Sequence, residues 1–349
     1  MARSERSPRG VTIVDVAARA DVSPMTVSRV INGRTGVGAK TRALVEEAIR
    51  ALSYTPNPAA RSLASATELR IGVIYSNARA AFMSDFLTGV FEEASARGAH
   101  LVLLKGDRGR PPSSAVLEEL AASNISGFLL APPLGEAPEV LRILREAGCA
   151  MAAVGAYQSP KTICVRVDDR AASYQMTRHL LDLGHRRIGF ILGNPDQAAS
   201  AERMAGFYAA VRETGGVDVQ VVQGDFTYAS GLAAGEQLLG SSNPPTAIFA
   251  SNDDMAAAVI SVAHRRHLDV PSELTVAGFD DTTAAVTLWP PLTTVRQPVR
   301  ELAAEALSLL IAEIRAKGSK SSVPRERILS HQIIERQSTG EVNSSSSPS

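Results

Sequence analysis

This chain has little cysteine, no long apolar run, no net charge and none of the short signatures of common nucleotide-binding or hydrolytic enzymes. Its two cysteines in 349 residues, Cys149 and Cys164, stand in apolar segments. They read as buried free thiols, with a disulfide between them as the minor alternative. No stretch reaches the ~18 uninterrupted apolar residues of a membrane span. Met1-Ala2-Arg3-Ser4-Glu5-Arg6 has no apolar leader core. Both absences lead to the expectation of a cytoplasmic protein without membrane contact. A Walker loop, a dinucleotide fingerprint and a Gly-x-Ser-x-Gly elbow are all missing. His264 and His267 are three apart, yet Arg265-Arg266 separate them and no carboxylate partner is evident. Asp168-Asp169, Asp253-Asp254 and Asp280-Asp281 are adjacent pairs whose neighbours point to different sides, so adjacency makes no chelate. No enzyme activity, cofactor or metal site is expected.

What the chain does have begins at Thr12. Thr12 is an N-cap for a first helix with Ile13, Val16, Ala17 and Ala20 on one face. Asp21-Val22-Ser23 forms a turn. Ser23 caps a second helix, and Pro24 suits its first position, where no backbone donor is needed. Val27, Val30 and Ile31 make the inward stripe. Met25, Thr26, Ser28, Arg29 and Asn32 face outward, a short, polar and cationic set suited to a DNA major groove. A third helix over 39–52 turns Leu44, Val45, Ala48, Ile49 and Leu52 inward. The first 64 residues carry ten basic and five acidic side chains, a net +5, which leaves −5 on the rest. A basic head on an acidic body confines polyanion binding to the head.

Three segments carry a resemblance: Thr12-Ile13-x-Asp15-Val16-Ala17, Ser23-Pro24-Met25-Thr26-Val27-Ser28-Arg29-Val30-x-Asn32-Gly33 and Tyr54-x-Pro56-Asn57-x-x-Ala60-Arg61-x-Leu63. The chain resembles the lactose-repressor/galactose-repressor family of bacterial transcription regulators. Gly38 stands where that family often has a serine, and glycine is also an acceptable N-cap. The resemblance implies a helix-turn-helix DNA-binding head over 1–55 and a hinge helix with linker over 56–69. A two-lobed effector-binding and dimerisation body would follow over 70–340, then a disordered tail over 341–349. Asn57 and Pro58 open the hinge helix, which is too short to persist alone. In the family, paired hinge helices enter the minor groove. Leu63 matches the leucine that wedges into the central base step, and Ala60 the small residue that lets the two helices meet.

From Leu69 onward short apolar, β-rich runs alternate with amphipathic helical stretches, the pattern of parallel sheets covered on both faces. The run is too long for one ordinary sheet. Two α/β lobes are expected, lobe 1 over about 70–167 and 297–328, lobe 2 over 168–296 and 329–340. The fold class is thus a small all-α head plus a body of two parallel-sheet lobes; the family resemblance implies that this body is similar to periplasmic binding proteins.

Ligands of such sheets sit outside the carboxyl ends of the strands. That places Ser76, Asp107, Gly155, Asn252-Asp253 and Asp280-Asp281 near a cleft between the lobes, with Arg203 and Phe226 facing it. The resemblance assigns Arg203, in Ser200-Ala201-Glu202-Arg203, to holding the effector. It assigns Phe226 to stacking on it and Asn252 and Asp280 to facing it. Ser76 completes the candidate set. Carboxylate, amide and guanidinium beside an aromatic face suit a polyol. Gly155 departs from the aspartate that relatives use for sugar hydroxyls. The implied protein is a homodimeric repressor that reads a palindromic operator in double-stranded DNA and answers to a small-molecule effector, a sugar or sugar derivative. A nucleobase-type effector is the alternative, and a sugar carrier without regulatory role is a further one.

Overall fold

The computed structural model describes residues 11–31, 37–52, 54, 69–76, 81–107, 110–157, 161–316 and 323–342. It divides into two compact units, residues 1–68 and 69–349.

In the first unit, helices α1 (Ile13–Arg19), α2 (Pro24–Ile31) and α3 (Ala39–Ala51) surround a core of Val16, Ala17, Ala20, Val27, Val30, Val45 and Ala48. Thr12 starts α1 with a capping box. Its hydroxyl accepts from the Asp15 amide at 3.4 Å, and the Asp15 carboxylate accepts from the Thr12 amide at 2.8 Å. The Ser23 hydroxyl accepts from the Thr26 amide at 3.2 Å, and Pro24 opens α2. Leu44 corrects an expectation, since it is 46% exposed. Val45, Ala48, Ile49 and Leu52 span the inward arc, and Leu44 lies past its edge, about 100° round the helix from Val45.

The second unit holds two six-stranded sheets. The first contains β1 (Arg70–Tyr75), β2 (His100–Lys105), β3 (Gly127–Leu130), β4 (Ala150–Val154), β5 (Thr162–Val167) and β11 (Glu326–Leu329) in the order β11-β5-β4-β3-β1-β2. The second contains β6 (Arg187–Leu192), β7 (Asp218–Gln223), β8 (Ala247–Ala250), β9 (Thr275–Asp280), β10 (Thr293–Arg296) and β12 (Gln332–Ile334) in the order β12-β10-β9-β8-β6-β7. Every pairing is parallel except β10 with β12. Both sheets therefore share one doubly wound order, with the reversal between β1 and β3 in one and between β6 and β8 in the other. The chain passes between sheets three times, after β5, after β10 and after β11.

Helices cover both faces. On the first sheet, α4 (Ala81–Arg97) lies with α12 (Val299–Arg315) on one side, and α5 (Ser114–Ala122) with α6 (Pro138–Glu146) on the other. On the second, α7 (Asp169–Asp182) pairs with α8 (Ala198–Thr214), and α9 (Tyr228–Leu239) with α10 (Asp253–Arg265). Gly206 permits the closest of these crossings. A Cβ there would stand 2.1 Å from the Arg170 carbonyl, so α7 and α8 touch through bare backbone. Of the five glycines placed by the sequence after helices, Gly98, Gly148, Gly184 and Gly215 stand at positive φ, while Gly240 ends its helix at φ −93°. A short α11 (Thr283–Thr287) falls below the length at which periodicity is readable. Cys164 is buried and Cys149 half-buried, both as free thiols.

Candidate functional site

The strand ends of both sheets converge on a cavity of about 430 Å³. The first lobe lines it with Phe82, Pro132, Val154 and Gly155, among others, and the second with Asn194, Arg203, Phe226, Asn252, Asp254 and Asp280. Asp169 and Gln297 stand just past two of the chain crossings and also line it.

Arg203, only 5% exposed, projects from α8. Its Nε donates to Asp169 at 2.8 Å, Nη1 donates to the Ser251 carbonyl, and the guanidinium lies 3.6 Å over the Phe279 ring. Phe226 sits at φ 69°, in the left-handed region, which turns its ring toward Arg203 at 5.7 Å. Its ring packs on Gly193, where an added Cβ would come within 2.6 Å of three ring atoms. Asp280 ends β9 at φ 117° and is followed by Asp281 at φ 59°. This strained corner directs the Asp280 carboxylate into the cavity, where the Gln297 amide donates to it at 2.6 Å. Burial pushes its pKa up to about 7, against the pull of Arg203 and Gln297 and with help from Asp254 and Asp169. Burial also raises Asp254.

Four of the five effector candidates, Arg203, Phe226, Asn252 and Asp280, come together in this cavity. Asn252 lies along the wall with both ends of its amide engaged. The oxygen caps α10 through the Met255 amide at 3.0 Å, and the nitrogen donates to the Phe226 carbonyl at 2.9 Å. It positions Phe226. Ser76 is not among the lining residues; its hydroxyl is buried without a hydrogen-bond partner among the described residues. Asp253 also turns away, because its buried carboxylate accepts from the Thr282 amide at 2.7 Å and the Thr294 hydroxyl at 2.6 Å. Asp281 pairs with Arg296 and Arg336 and braces the corner. Sequence reasoning missed Asp169, Asp254, Asn194 and Gln297 as lining residues. All four follow strand ends, which is the signal that could have found them. Among the described residues no group of histidine, cysteine or carboxylate is placed to hold a metal, and no helix is long and apolar enough to cross a membrane.

On the head, α2 presents a second candidate surface. Pro24, Met25 and Arg29 are exposed, Met25 by 66%, and Arg29 has no ion-pair partner among the described residues. Thr26 and Ser28 are half-buried on its flanks, while Thr12 and Ser23 are exposed at the two helix starts. Asn32, Asn57, Ala60 and Leu63 lie outside the described residues.

Comparison with known proteins matches this two-part plan. A family of bacterial regulatory proteins, the lacI family, matches residues 12–57, and the periplasmic binding protein-like domain matches residues 177–339. The chain is 33% identical to catabolite control protein A of Priestia megaterium over 333 residues, 94% of this chain and 99% of that protein. The Lac repressor dimer bound to operator and an anti-inducer superposes with a TM-score of 0.79 at 27% identity, covering 95% of this chain and all of that one. The complex of the transcriptional regulator CelR with cellobiose does so with a TM-score of 0.70 at 31% identity, covering 94% and 99%. The chain belongs to the LacI family and is a DNA-binding transcription regulator, not an enzyme.

Proposed function

We propose that this protein is a cytoplasmic repressor that binds a palindromic operator as a homodimer and is controlled by a sugar or sugar derivative held between its lobes. The observation that carries this reading is the meeting of Arg203, Phe226 and Asp280 in one cavity walled by both lobes. A polyol needs charged hydrogen-bonding partners around its rim and an apolar platform for its C–H face. Arg203 and Asp280 supply the first, Phe226 the second. Because both lobes line the cavity, a ligand there binds the closed arrangement better than the open one and shifts the balance between them. CelR, a neighbour in structure, was solved with cellobiose. Met25, Ser28 and Arg29 on α2 would read the major groove, and Leu63 would wedge into the minor groove between paired hinge helices.

The test begins with a fluorescence-shift screen of sugars and nucleobases against the intact protein. Operator affinity is then measured for wild type and Asp280→Ala with and without the hit. The mutant should lose the response and keep effector-free operator binding. A response at unchanged concentration places the effector elsewhere, and a hit confined to nucleobases overturns the sugar reading.

A further inference from the structure

Helix α8, which carries Arg203, begins without a cap of its own. Its N-cap residue Gln197 makes no side-chain capping bond. The first amide of the helix, that of Ala198, instead donates at 2.9 Å to Glu136. Glu136 belongs to the other lobe, in the single 3₁₀ turn between β3 and α6. Its second oxygen accepts from the Tyr157 amide at 3.0 Å, within its own lobe, so the carboxylate is oriented before it reaches across. Tyr157 crosses in turn. Its hydroxyl donates at 2.8 Å to Asp169, the carboxylate paired with Arg203.

These bonds close a ring: Glu136 to Ala198, along α8 to Arg203, on to Asp169, to the Tyr157 hydroxyl, and through the Tyr157 amide back to Glu136. Two of its links span the lobes, and they meet α7 and α8 at the edge of the effector cavity. An uncapped helix start leaves amide donors unsatisfied and a partial positive charge exposed. Opening the cleft therefore strips α8 of its cap, while closing restores it.

We propose that Glu136 and Tyr157 form a latch that holds the lobes closed without effector, with Glu136 as a positioning residue that caps α8 from the opposite lobe. The latch itself is independent of what the cavity binds; only its effect on ligand affinity rests on the function proposed above. A charged cap of this kind biases closure by roughly tenfold, the scale of an ordinary N-cap substitution.

The experiment uses the full chain without ligand. Small-angle scattering and amide hydrogen exchange are recorded for wild type, Glu136→Ala, Glu136→Gln and Tyr157→Phe. Glu136→Ala should populate a more extended body and speed exchange of the Ala198 amide about tenfold. Glu136→Gln keeps one acceptor oxygen and should fall between. Tyr157→Phe removes the other link between the lobes and should also extend the body and speed Ala198 exchange, by less than Glu136→Ala, because Glu136 still caps α8 in the closed fraction. Unchanged scattering and unchanged Ala198 exchange in Glu136→Ala overturn the latch. A mere folding role is recognised by uniform loss of protection across the lobe, and it overturns the proposal too. If the latch variants behave as expected but sugars fail to bind, the function proposed above fails and the latch stands.

Discussion

Asp169→Ala is a substitution for which the structure sets a large penalty. Asp169 is 2% exposed and Arg203 5% exposed, so their 2.8 Å ion pair is out of water on both sides. Removing the carboxylate leaves the Arg203 guanidinium buried with the Ser251 carbonyl as its one remaining acceptor among the described residues, and it strips the Tyr157 hydroxyl of its partner. Breaking a buried pair in this one-sided way costs about 3–5 kcal/mol. For a unit of this size each kcal/mol lowers the unfolding midpoint by roughly 2–4 °C, so the body should melt roughly 6–20 °C lower. Far-UV circular dichroism with calorimetry on the full chain reads this, the larger transition belonging to the body. Glu139→Ala is the control. Its pair with Arg142 is about half exposed on both sides and should leave the midpoint where it was. A loss below 2 °C for Asp169→Ala would refute the reasoning, because it would mean that water reaches Arg203 and the cleft stands open in solution.

Arg29→Ala should weaken operator binding by about 1–3 kcal/mol if the guanidinium reads a base, and a footprint unchanged by the substitution would remove Arg29 from the interface. Gly193→Ala should drive the Phe226 ring off its seat, raising the effector concentration needed for response while effector-free operator affinity, followed by fluorescence anisotropy, holds. Asp280 keeps its proton to about pH 7 in the fold but releases it near the ordinary 3.8 when unfolded, so the native state binds more protons between those values. Its contribution to stability therefore falls as pH rises through that window. Asp280→Asn should make the decline of urea-unfolding stability between pH 4 and pH 7 less steep.

Local rules made much of the fold legible. Apolar runs such as Arg70–Tyr75 and Arg187–Leu192 are strands at the bounds that their composition predicts. Thr12, Ser23 and the glycines after helices mark their own positions through capping chemistry. Arg203 and Asp280 were found as cavity residues because strand ends and family motifs point to them. The neighbouring carboxylates were harder. Asp253 and Asp254 differ by one residue, yet one is buried among Thr282 and Thr294 while the other faces the cavity, a distinction made by helix phase and tertiary packing. The bond from Glu136 to Ala198 spans 62 positions and follows no period, so nothing local announces it. The antiparallel edge strand Gln332–Ile334 is three residues long and is defined by its partner β10.

The order in which the strands and helices come along the chain has a consequence for synthesis. The face of the first sheet that carries Val73, Leu129 and Val165 is covered by α4 together with α12, which supplies Leu302, Ala303, Leu307 and Leu310. That helix begins about 130 residues after β5 ends. At ~5–20 residues per second a ribosome needs roughly 7–25 s to make that stretch. During this interval α4 is present but α12 is not, and the part of that face over β3, β4 and β5 is open to other apolar surfaces. The second lobe, made in the meantime, cannot supply the cover, because its own helices are occupied by its own sheet. Until Val299–Arg315 emerges, the nascent chain carries an apolar sheet surface that no part of it yet made can cover.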